Sequence, residues 1–93
     1  MINWEQNPNW KNLPKPEVGD IVQLKLTDVF DYLVKAIVTV ANDNEITANV
    51  EALFDWQTKD QLTGSDKLNL VGKQITFRPV FMQNVVKKPV NTR

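Results

Sequence analysis

The chain of 93 residues contains no cysteine and no histidine. Without cysteine there is no disulfide and no thiolate metal site, a usage that fits a reducing compartment. Without histidine it lacks the commonest general acid or base and the commonest metal ligand. Ser65 is the only serine, and neither a glycine-rich phosphate loop nor a G-x-S-x-G elbow occurs. Asp28/Asp31 and Asp43/Glu45 are close acidic pairs. Both fall in segments that read as turns, where Asp serves local hydrogen bonding. Residues 42–45 also lack the further ligands and the glycine of a calcium loop. The expectation is a non-catalytic protein with no metal and no cofactor.

Long apolar runs are missing too. None approaches the roughly 20 residues of a membrane span, and the opening "MINWEQNPNWKN" has no basic flank or apolar stretch of the signal-peptide kind. A soluble, cytoplasmic protein without a membrane partner is therefore expected. Net charge is zero but unevenly spread. Residues 1–20 carry two bases and three acids, 21–60 three and seven, and 61–93 six and one. Folding can neutralise such asymmetry by setting basic strands beside acidic ones, which makes a charged partner surface the less economical explanation.

What is present is a strand pattern. Val22, Leu24 and Leu26 alternate with Gln23, Lys25 and Thr27, the period of a half-buried strand. The next segment is double-sided. Phe30, Leu33, Val34, Ile37 and Ala41 stand at helical spacing, yet residues 34–40 are mostly Val, Ile and Thr, which suit a pleated surface. A turn at 28–31 and a strand at 32–41 follow. After the turn at 42–45, Ile46, Ala48, Val50, Ala52, Phe54 and Trp56 share one face, with Leu53 out of phase. Residues 57–72 read as a long polar loop with a helical turn from Ser65, held down by Leu62, Leu68 and Leu70. Ile75 and Phe77 then point inward, Pro79 ends that strand, and residues 80–82 turn a corner towards a last short strand at Val85 and Val86.

These elements predict a mainly β domain over 18–88: a small five-stranded antiparallel barrel of the SH3-like type. The alternative is an α+β fold with residues 28–40 as a helix on three or four strands. Residues 1–17, with Pro8, Pro14 and Pro16, predict an arm with no helix and no ladder strand; its Trp4, Trp10 and Leu13 should pack on the domain. Residues 89–93 read as a flexible tail. "ALFDW" at 52–56, with Leu62 and Gly72, resembles the opening motif of the peptide-binding SH3 family. That family's Trp pair and closing Pro-x-Asn-Tyr are not found after Trp56, so its aromatic groove is not carried over.

Function then rests on binding. Trp and Arg most often anchor protein contacts, so Trp4 and Trp10 are candidate partner-binding residues, and another protein or a second copy is the expected partner. Lys73, Arg78, Lys87 and Lys88 are the further candidates. With Arg93 they make the C-terminal third basic, and a nucleic-acid-binding barrel is the alternative they raise. An accessory, phage-derived or assembly component fits a chain of this type.

Overall fold

A computed structural model describes residues 3–62 and 69–89. The proposed helical turn at Ser65, Leu68 and most of the C-terminal tail lie outside the described residues. Six strands form one antiparallel sheet: β1 (Asn3–Trp4), β2 (Ile21–Thr27), β3 (Asp31–Ala41), β4 (Ile46–Asp55), β5 (Gln74–Phe77) and β6 (Met82–Val86). The order is β1-β2-β3-β4-β5, with β6 also on β2. The β2–β3–β4 meander is joined by tight turns, and a 3-10 turn at Pro79–Phe81 links β5 to β6. The sheet curls into a half-barrel, open between β5 and β6 among the described residues.

The core lies inside this curl. Val22, Leu24 and Leu26 of β2 face Val34, Ala36 and Val38 of β3, and Ile46, Ala48, Val50 and Leu53 of β4 follow. Phe77, Met82 and Val85 close it from β5 and β6. Residues 31–41 are extended throughout, so the helical alternative fails. Val34, Ala36 and Val38 all reach the core on an alternating backbone, which a helix could not provide.

The structure corrects several expectations. Among the described residues, 18–88 hold the five expected strands, and the arm, where no ladder strand is expected, adds a sixth at Asn3–Trp4. β6 covers β2 only over Ile21–Leu24, so Leu26 and Thr27 keep an open edge that the arm fills. The arm also holds a 3-10 turn, Trp10–Asn12. Pro8 and Pro14 bar an α-helix, but this turn needs only the amides of Asn12 and Leu13 as donors. β6 begins at Met82, before Val85, and Phe81 in the corner is half-buried. Leu62 is exposed, although its amide bonds Leu53 O.

The largest correction concerns the faces of β3 and β4. Lys35 pairs with Ala52 but Ala36 with Val50, so Glu51 is an extra residue. This bulge shifts the phase: Leu53 enters the core, and Phe54 turns to the outer face, half-buried under Lys35 Nζ at 4.7 Å from its ring centroid. Trp56 is half-buried too, beside Lys59 Nζ at 3.9 Å and Lys25 Nζ at 4.7 Å. A second bulge at Thr39 pairs Val40 with Thr47 and leaves Val40 exposed.

Candidate binding groove

Beyond β1, the arm is fastened at two further places, and the groove lies between them. At the first, Asn7 Nδ2 donates to Met82 O (2.9 Å) and the Asn7 amide to Val80 O (2.7 Å). The Asn7 side-chain oxygen accepts from the Asn9 amide, and Asn7 O accepts from the Trp10 amide. One asparagine thus anchors the arm and starts the turn that presents Trp10. At the second, Asp20 is buried, with 1 % of its surface exposed. Its carboxylate accepts from the amides of Glu17 (2.8 Å) and Lys88 (2.9 Å) and pairs with the Lys87 ammonium. Lys87 Nζ also donates to Glu17 Oε1 and to Lys15 O.

Burial alone would raise the Asp20 pKa. The hydrogen bond from Lys87, the two amides and the nearby positive charge outweigh it and hold it below 3.8. Asp20 in turn, with Glu17, raises Lys87 above 10.5. Asp55 is also lowered, chiefly by the Thr58 amide, in the turn it caps. All three shifts lead away from neutrality, the opposite of what a general acid or base at pH 7 requires. Among the described residues no three acidic side chains assemble as a metal site, and no helix is long and apolar enough to cross a membrane.

Between the two fastenings runs a cavity of about 260 Å³. Leu13, Ile46 and Met82 line it together with Pro14, Pro16 and Pro79, and Trp10 forms a wall. A shallower, more polar hollow continues past Trp10 to Arg78, Val80, Asp43 and Glu45. Proline rings and a tryptophan are rigid apolar surfaces that lose little rotamer entropy when covered. The cavity alone falls just below the usual range of small-molecule sites, the hollow that continues it measures about 890 Å³, and together they can take side chains of an extended segment.

The proposed site residues therefore part company. Trp10 and Arg78 border the same groove. Trp4 packs against the core from β1. Lys87 and Lys88 sit at Asp20, with the Lys88 side chain against Gly19, whose φ of +96° forms the turn before β2. Lys73 lies at the opposite end of β5 from Arg78. A single basic face does not form from these four. Asn7 and Asp20 escape sequence reasoning because both read as ordinary turn residues; the Asn-Pro step at 7–8 is the only local hint of the first, and nothing near Asp20 announces partners at Lys87 and Lys88. Elsewhere, Val29 and Phe30 stand exposed at the β2–β3 tip.

No family model, curated protein or solved structure matches this chain.

Proposed function

We propose that the chain is a non-catalytic protein-interaction module of SH3-like barrel type that holds an extended segment of another protein in the Trp10 groove. The order β6-β2-β3-β4-β5, with a 3-10 turn before the last strand, supports the SH3-like reading. The observation that carries the function is the apolar channel of Trp10, three prolines, Leu13, Ile46 and Met82, rimmed by both signs of charge: Lys11, Lys15 and Arg78 with Asp43 and Glu45. Interfaces are built this way, with an aromatic anchor in an apolar centre and charge at the rim. The role is that of an assembly or accessory component in the cytoplasm.

Trp10→Ala tests this. Trp10 is half-buried on the surface of the arm, so its removal should cost about 1 kcal/mol or less in urea denaturation, far below the 3–5 of a core aromatic. A partner captured from host extract by the wild-type chain should be lost by the folded variant, since anchor truncation costs about 2 kcal/mol or more. Equal capture by both would remove the groove from the function. Light scattering separates a foreign partner from a second copy. The nucleic-acid alternative draws on Arg78, Lys11 and Lys15 around Trp10, against Glu45 and an Asp43 that Lys15 already pairs. Oligonucleotide titration at low salt tests it, and tight, salt-sensitive binding would displace the protein-module reading.

A further inference from the structure

β5 is the last strand of the sheet, and its second edge has no neighbour among the described residues. Val50 donates to Lys73 O and accepts from the Gly72 amide, so the bonds to β5 come from Val50 and, by alternation, from Ala48 and Ile46. Their partners Ile75 and Phe77 are used up inside the sheet. The amides and carbonyls of Gln74 and Thr76 point the other way, along the open edge. Both residues are exposed. Such an edge is a template for another strand.

Charge decides which strand. Lys73 and Arg78 stand just outside the two ends of β5, and both are exposed. Residues 69–80 contain no acid. In an antiparallel pairing of β5 with a second copy of itself, Gln74 would stand opposite Thr76, which brings Lys73 within one position of the other copy's Arg78 at both ends with no acid nearby, and such crowding of like charge is destabilising. Within the sheet the arrangement is reversed. β4 carries Glu45 next to Ile46, which pairs with Phe77 beside Arg78, and Glu51 next to Val50, whose amide bonds Lys73 O. The next strand that continues this alternation is one with acidic ends and an apolar residue opposite Ile75 and Phe77.

We propose that the β5 edge takes an extended acidic segment of a partner protein as an added antiparallel strand. This rests on the reading of the chain as a protein-interaction module and names a second surface of it, contiguous with the Trp10 groove through Arg78. Main-chain bonds to Gln74 and Thr76 supply the attachment, and the two basic ends supply the register and the selectivity.

The probe is a blocked peptide, Gly-Glu-Val-Thr-Val-Thr-Glu-Gly, compared by amide NMR with its counterpart carrying Lys for both Glu. The acidic peptide should shift the amides of Gln74 and Thr76 at millimolar concentration. It should bind about tenfold tighter than the basic one, the combined effect of two opposite-charge pairs replacing two like-charge pairs. Lys73→Glu with Arg78→Glu should reverse that order, and methylating the peptide's ladder-facing amides should abolish binding. Absence of shifts at Gln74 and Thr76, an order unchanged by the charge swap, or binding that survives methylation would each overturn the proposal. Shifts confined to the groove and lost in Trp10→Ala would remove the edge while leaving the module reading intact. If partner capture is also indifferent to Trp10→Ala, that reading falls separately.

Discussion

Asp20→Asn should lower the stability of the fold by about 3 kcal/mol at pH 7, measured by urea denaturation, although the two side chains are nearly the same size. The carboxylate accepts two backbone amides and one ammonium with almost no access to water. An asparagine offers one oxygen for these donors and turns its own NH2 towards another. One backbone amide, from Glu17 or Lys88, then loses its acceptor in a buried place. Three segments lose their junction together: the end of the arm, the start of β2 and the exit of β6.

The pH dependence separates this mechanism from simple misfit. Asp20 has a pKa below its ordinary value of 3.8 in the folded chain. Its contribution is therefore fully present above the unfolded value and is lost as pH falls through the folded one. Lys87 behaves in the opposite sense: raised above 10.5, it contributes below that value and loses its contribution as pH climbs past the folded one. The wild-type chain should weaken at both extremes. Asp20→Asn should be less stable at neutral pH yet flatter towards acid, so that its curve and the wild-type curve converge as pH falls through the folded value of Asp20. A variant within about 0.5 kcal/mol of wild type at pH 7, the ordinary surface range, would mean that Asp20 is no junction. Parallel pH curves would mean the same.

Alternation made β2 legible from sequence, and the same regularity carried the inward positions of β3 and the first half of β4. What escaped was every place where regularity breaks. Glu51, Thr39 and Gln83 are each an extra residue in a strand pair, and each inverts the phase that follows. A bulge is a property of two strands together, so one strand read alone gives no sign of it. The last strand shows the result: Met82 and Val85, three apart, both face the core. The groove was half legible. Trp10 and Arg78 stood out by residue type, but their meeting depends on Asn7 bonding across 75 positions to Met82. The two lysines at 87 and 88 looked free because their acid lies 67 positions or more away in the chain.

The bulge at Glu51 makes its own quantitative claim. By strict alternation from Ile46, Phe54 belongs inside and Leu53 outside, and truncating Phe54 would then be the costly change. The structure reverses the order. Leu53 is 3 % exposed and packs with the core cluster opposite Val34. Leu53→Ala should cost about 3 kcal/mol, the lost transfer energy of the side chain plus the cavity left in a core that cannot collapse. Phe54 lies on the outer face opposite the buried Leu33 and is itself half-buried, with Lys35 over its ring. Phe54→Ala should cost about 1 kcal/mol, because it removes partial burial and a cation–π contact without opening an interior void. Urea midpoints of the two variants decide the matter, provided the slopes stay equal. If Phe54→Ala proves the more damaging, β4 runs without its extra residue. The half-buried Phe54 and Trp56 would then be core, and the inner wall of the half-barrel would need a different set of side chains.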